Sequence, residues 1–167
     1  MPNTYTLIAS NTVSTAVSSV TFSSIPSTYT DLLLKVCART TRTANQEDLQ
    51  ISYNGSTANF TARLLQGTGT SAASYTDTRF YGSAPSASAT ASTFGNLEAY
   101  IPNYASANYK SASIDYVCEN NATAAEEGLV ASLWSDTAAI TSIALTGASS
   151  GNFVQYSTFY LYGIKNS

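Results

Sequence analysis

Histidine is absent from this chain, and only 10% of its residues are charged, against about 25% in an ordinary globular domain. Without an imidazole, no serine or cysteine can be activated through a neighbouring histidine, so the usual triads are excluded. Only two cysteines occur, Cys37 and Cys118, and with no histidine beside them they do not make a zinc site. They lie far apart in strand-like runs. A bridge would need a Cα spacing that sequence does not define, so they read as two small buried thiols. There is no Gly-x-Ser-x-Gly elbow, no glycine-rich phosphate loop and no Asp-x-Asp-x-Asp calcium run. These absences lead us to expect a non-enzymatic chain without a cofactor or metal.

Long hydrophobic runs are missing as well. No stretch approaches the ~20 apolar residues of a membrane helix, and Met1–Tyr5 has neither the basic region nor the apolar run of a secretory signal. No membrane partner is expected. The seven Lys and Arg residues are Lys35, Arg39, Arg42, Arg63, Arg79, Lys110 and Lys165. They are spread thinly in a chain of net charge −3. Phosphate backbones are bound by clustered cations, so nucleic acid is not an expected partner. Three Asn-x-Ser/Thr sequons, at Asn54, Asn59 and Asn121, arise readily by chance in a chain in which more than a quarter of the residues are Ser or Thr.

What the chain does have is a period of two. Leu32, Leu34, Val36 and Ala38 alternate with Leu33, Lys35, Cys37 and Arg39, the pattern of a strand with one apolar face. Leu49, Ile51 and Tyr53 lead into Asn54-Gly55, and Phe60, Ala62 and Leu64 resume beyond it. Asn-Gly is the strongest short hairpin signal, so these runs are predicted to pair. Leu97, Ala99 and Ile101; Ala112, Ile114, Tyr116 and Cys118; Leu129 to Trp134; Thr141 to Leu145; and Phe159 to Ile164 extend the same alternation. Tyr5 to Ile8 and Val17 to Ser23 add two earlier strands. Ala122 to Glu127 reads as a loop with a 3₁₀ turn. About eight to ten short strands and no helix predict an all-β fold: one antiparallel β-sandwich over residues 1–167, most simply a jelly roll. Residues 67–93, rich in Gly, Ser, Ala and Thr, predict a long flexible loop with a short strand at Thr78 to Tyr81. Within it, Ser83 to Ser92 have almost no large apolar side chain to offset ordering entropy.

Two kinds of side chain remain for function. Paired carboxylates suffice for glycoside cleavage, and Asp115 with Glu119, or Glu98 with either, could share a strand face. They read as solvated charges on an outer face, and Glu126-Glu127 as solvent-facing loop residues. Tyrosine, with 12 copies, supplies broad contact area at low entropic cost. Tyr156, Tyr160 and Tyr162 gather at the last strand, and Tyr100, Tyr104 and Tyr109 around the loop after Ile101. These six are the candidate interface, for a protein or for a glycan on which their rings would stack.

Four segments carry a family resemblance: FSSIPSTYTDLLLKVCART from Phe22, ISYNGSTANFTARLLQGTGT from Ile51, ASLWSDTAAITSIAL from Ala131 and NFVQYSTFYLYGIKNS from Asn152. Together and in this order they resemble a group of small structural proteins of tailed bacteriophages, especially aquatic ones. The closing Leu161-Tyr162-Gly163-Ile164-Lys165 is the most specific phrase, followed by Ile25-Pro26 with Tyr29 and Asp31. Residues 83–92 match nothing in the pattern. The resemblance implies a virion component assembled in the host cytoplasm. It would be a capsid decoration (cement) protein bound to the major capsid protein or other virion proteins, most simply as a homotrimer, or else a tail or fibre module that binds host carbohydrate.

Overall fold

The computed structural model describes residues 4–121 and 124–165. Among the described residues there are twelve strands and no helix. They are β1 (Tyr5–Thr12), β2 (Ser19–Phe22), β3 (Asp31–Ala38), β4 (Gln46–Tyr53), β5 (Phe60–Gly67), β6 (Ala72–Asp77), β7 (Phe80–Pro85), β8 (Gly95–Ile101), β9 (Lys110–Cys118), β10 (Glu126–Trp134), β11 (Ile143–Gly147) and β12 (Thr158–Ile164). They form two antiparallel sheets packed as a sandwich. One has eight strands in the order β1-β12-β3-β8-β9-β10-β5-β6, and the other four in the order β2-β11-β4-β7. The pairings are nested: β1 with β12, β2 with β11, β3 with β8 and β4 with β7. Two hairpins, β5–β6 and β9–β10, are inserted into that nest and widen the larger sheet.

The period of two sets the core. One inward row crosses the whole larger sheet in register: Ala9, Leu161, Leu34, Ala99, Ile114, Val130, Leu64 and Tyr75. Its middle six residues are buried, because the smaller sheet lays Val20, Phe22, Leu49, Ile51, Ile143 and Leu145 against them. At one end of this core Trp134 stacks on Phe60 with ring centres 6.1 Å apart, and both meet Tyr53 edge-on. Glycine is required where Tyr116 lies opposite Gly128: a Cβ there would stand 2.4 Å from the tyrosine ring.

Three expectations are corrected here. The Asn54-Gly55 turn does form, with both residues at positive φ (52° and 73°). It does not join paired strands, however: β4 pairs with β11 and β7, and β5 with β10 and β6 in the other sheet. Asn54 is held instead by the 138–142 loop. Its amide donates to Ala139 O and its side-chain oxygen accepts from Thr141 N–H, each at 2.8 Å. The chain therefore leaves the turn toward the opposite sheet. The crossing brings Tyr53, Phe60 and Trp134 together in one buried aromatic cluster.

The second correction concerns the long loop expected over 67–93. This stretch holds β6 and β7, and Gly82 to Ser86 are buried. Small residues are what allow it. The backbone at Gly82 approaches the larger sheet so closely that a Cβ would lie 2.2 Å from Leu97 Cδ1. Beyond β7 the segment is pinned by Arg39, whose guanidinium donates to the carbonyls of Ala89, Thr90 and Thr93 at 2.8–3.1 Å. Thr40 Oγ1 shares a 2.9 Å hydrogen bond with Ser86 Oγ. Charge-assisted bonds are each worth about 1.5–3 kcal/mol. Arg39→Ala is therefore expected to cost about 2–3 kcal/mol in chemical denaturation and to speed hydrogen exchange selectively over 86–94. Uniform exchange in the variant would show that the guanidinium does not organise the segment.

The third correction concerns the stretch expected to be a loop from Ala122 to Glu127. Residues 122–123 lie outside the described residues, but Glu126 already belongs to β10 and is buried, while Glu127 is exposed. The Glu126 carboxylate accepts from Gln46 Nε2 at 2.7 Å and from Gln66 Nε2. Burial raises its pKa, and these amide bonds pull the other way.

Candidate interaction face

The smaller sheet covers one face of the eight-stranded sheet. The outward rows of the other face can be read straight across the strands. One row runs Leu7, Tyr162, Leu33, Tyr100, Ser113, Ala131, Arg63 and Thr76. Its neighbour runs Ser10, Tyr160, Lys35, Glu98, Asp115, Leu129, Leu65 and Ser74. Large apolar side chains that solvent would ordinarily exclude stand open here: Leu7 is 50% exposed, Leu65 55% and Leu129 60%. Leu65 and Leu129 lie directly opposite one another on β5 and β10. Tyr5, Tyr100 and Val117 are exposed on the same face. The face thus holds an aromatic half on β1, β12, β3 and β8 and an aliphatic half on β9, β10 and β5.

A charged group crosses the junction of the halves, with Lys35 on β3, Glu98 on β8 and Asp115 on β9. Lys35 Nζ lies 2.5 Å from Glu98 Oε2, and Asp115 faces Glu98 across the strand boundary. The hydrogen bond from Lys35 to Glu98 raises the lysine pKa. Partial burial, then the neighbouring Glu98 charge, raises that of Asp115. Beside this group is a cleft of about 400 Å³ lined by Lys35, Asn96, Glu98, Asp115, Tyr160 and Tyr162. Another of about 310 Å³ lies between Tyr5, Leu33, Lys35, Glu98 and Tyr162. The rings of Tyr160 and Tyr162 are near parallel with centres 6.5 Å apart, one strand repeat.

The six tyrosines singled out by sequence do not form one cluster. Tyr100, Tyr160 and Tyr162 share the outer face. Tyr100 O–H donates to Asp31 Oδ2 at 2.9 Å, which raises the phenol's pKa. Tyr109 is exposed in the loop after β8. Tyr156 stands at the opposite end, 69% exposed and held at a φ of 71°, a conformation that a bulky residue adopts only under constraint. Its N–H donates to Val13 O, which supplies that constraint. Tyr104 is a correction to the expected interface. It is fully buried, with its hydroxyl on Pro26 O and its carbonyl accepting from Ile140 N–H, so it closes one end of the sandwich and cannot meet a partner. The residues that sequence reasoning passed over are Leu7, Leu65, Val117 and Leu129. Strand alternation places Leu65 opposite Leu64 in facing, but it does not say that nothing covers the outer side.

The other reactive groups are accounted for. Cys37, expected to be buried, is exposed, because it occupies an outward position of β3. Cys118 is buried, and burial pushes its thiol up to about 11. Both are free. Of the paired carboxylates, Glu98 and Asp115 do come together, on the open face beside Lys35. Among the described residues no group of three or more Cys, Asp or Glu side chains converges as a metal site would. No protein-family model, curated protein or solved structure matches the chain.

Proposed function

We propose that this protein is a non-enzymatic structural component of a tailed-bacteriophage virion, a capsid decoration protein that docks on the shell through the outer face of its eight-stranded sheet. The observation that carries the proposal is that face: Leu7, Tyr100, Val117, Leu129 and Leu65 are exposed on one side of one sheet. Exposed apolar area of this kind marks an interaction surface. Two further points support the reading. With both inserted hairpins set aside, we read the nested pairing of the remaining eight strands as that of a jelly roll, an architecture frequent in viral capsids. The four segments that resemble phage structural proteins also include β3, β5, β12 and the end of β10, and they contribute Lys35, Leu65, Tyr160 and Tyr162 to this face.

In this role the chain is assembled in the host cytoplasm, associates with itself, and bridges adjacent copies of the major capsid protein. A standard interface buries about 1,600 Å² in total, and many copies turn modest contacts into strong cohesion. Shells lacking the protein, when reloaded with it, are expected to regain heat resistance and to show its density on the icosahedral surface by cryo-electron microscopy. The Leu65→Asp, Leu129→Asp variant should melt like the parent and fail to bind. Equal binding by that variant, or density confined to the tail, would overturn the proposal.

The cleft of Tyr160 and Tyr162 with Lys35, Asn96, Glu98 and Asp115 favours a second reading, a tail or fibre module that holds host carbohydrate. Apolar rings beside a few fixed polar groups are the general composition of a ligand site. A glycan array probed with the assembled protein should then give signals that Tyr162→Ala removes, and a blank array would end this reading.

A further inference from the structure

Four strands form the edges of the two sheets, and an edge is a row of unpaired backbone donors and acceptors that must be managed. Three are managed. β2 has only four residues. β7 is packed against the larger sheet over Gly82–Ser83–Ala84 and ends in Pro85. β1 carries a register break between Leu7 and Ala9, which interrupts the straight template that another chain would need. β6 has none of these devices. It runs Ala-Ala-Ser-Tyr-Thr-Asp in unbroken register against β5, from Ala62↔Asp77 to Gly67↔Ala72. It contains no proline and no lysine, its one charge lies at its end, and none of its residues is buried.

We propose that β6 is a self-association edge, and that its partner is β6 of a second copy, paired antiparallel about a two-fold axis through Tyr75. The occupant follows from self-complementarity. Centred on Tyr75, the pairing sets Tyr75 against Tyr75, Ser74 against Thr76 and Ala73 against Asp77 of the other copy. Aromatic–aromatic and Ser–Thr pairs are both favourable across strands, and no like charges meet. The two Asp77 carboxylates lie at opposite ends of the ribbon, and Arg79 Nε already stands 3.3 Å from its own Asp77. A centre on a residue, rather than between residues, also keeps the two sheets' faces aligned. That matters for Tyr75. It is the last member of the inward row, opposite Leu64, yet it is 47% exposed. Across the axis each Tyr75 would cover the other and extend the core row of one sheet into the next. Such a contact is isologous and closes as a pair, in place of the trimer expected from the family resemblance. It needs no shell, so it stands apart from the virion reading.

The test uses the intact chain. Sedimentation equilibrium or native mass spectrometry should give a dimer. Tyr75→Lys, which sets two ammonium groups face to face on the axis, should weaken it by roughly tenfold or more without lowering the melting temperature of the monomer, whereas Tyr75→Phe should leave it intact. In a Cys37→Ser background, Tyr75→Cys should oxidise in air to a disulfide-linked dimer, because directly opposed antiparallel residues have Cα atoms about 4.5–5.5 Å apart, within the range of a disulfide. A monomer, a trimer, a dimer indifferent to Tyr75→Lys, or a Tyr75→Cys chain that stays reduced would each overturn the proposal. None of these outcomes bears on whether the outer face binds a shell.

Discussion

Replacing Trp134 with alanine is expected to lower the unfolding free energy by about 3–5 kcal/mol, as other deletions of large buried aromatics do. Trp134 is 1% exposed and the largest fully buried side chain of the protein. It touches Phe60 and Tyr53, two strands from different sheets, so it holds the sandwich closed as well as filling it. Its other neighbour is unusual. Lys110 is also buried, with its ammonium group 5.9 Å from the indole ring and donating to the carbonyls of Asn108 and Asp136. Desolvation lowers the pKa of that lysine. Without the indole the ammonium group would border a cavity. The variant should therefore lose more than its apolar area alone would indicate, and Trp134→Phe should recover most of the difference. Denaturant titration with unchanged slope is the measurement. A loss below about 1 kcal/mol would mean that the aromatic cluster collapses around the gap.

Raising the pH should unfold the protein cooperatively. Tyr53 and Tyr116 are 1% and 2% exposed, and burial pushes both phenols far above their ordinary value of 10.0. Burial also raises half-buried Tyr81, to about 12. For each group the folded pKa lies above the unfolded one, so the contribution to stability is complete below pH ~10 and is lost as pH climbs from there toward the folded value. In that window each fully buried phenol costs about 1.4 kcal/mol per pH unit, or roughly 3 kcal/mol per unit for Tyr53 and Tyr116 together. Lys110 acts in the opposite direction. Its folded pKa is depressed, so its penalty is relieved as pH rises through that value. One group does not offset three. Tyrosinate absorbance should therefore rise in one steep step that coincides with loss of β-sheet circular dichroism. A gradual, noncooperative rise with the sheet signal retained would mean that the buried phenols ionise in place. Phe replacements at Tyr53 and Tyr116 should move the midpoint upward.

Much of the sandwich could be read from local alternation. Leu34, Ala99, Ile114 and Leu161 announce inward positions by the residues on either side of them, since a strand turns every second side chain to the same face. The strands at 31–38, 95–101, 110–118 and 158–164 therefore fall where the alternation puts them. The absence of histidine and the scarcity of charge likewise narrowed the chemistry before any coordinates, because those are properties of composition. Alternation is silent on which strand lies beside which. Asn54-Gly55 turns as an Asn-Gly pair should, but whether the chain then returns alongside itself or crosses to the other sheet depends on Tyr53, Phe60 and Trp134, which are distant in sequence.

The same limit explains Ser83 to Ser86. Small side chains look unable to form a core when counted alone, yet Ser83 to Ser86 are buried beside Gly82, whose lack of a Cβ lets β7 lie close under Leu97 and Tyr116. It also explains Tyr104 and Glu126, whose burial comes from loops and strands that meet only in three dimensions. The sequence by itself determined a histidine-free, weakly charged chain of two-faced strands. Only the tertiary structure decided which of those faces is covered. The smaller sheet packs on one face of the larger one, which leaves Leu65 and Leu129 open on the other face, and Tyr75 stays 47% exposed at the end of the inward row.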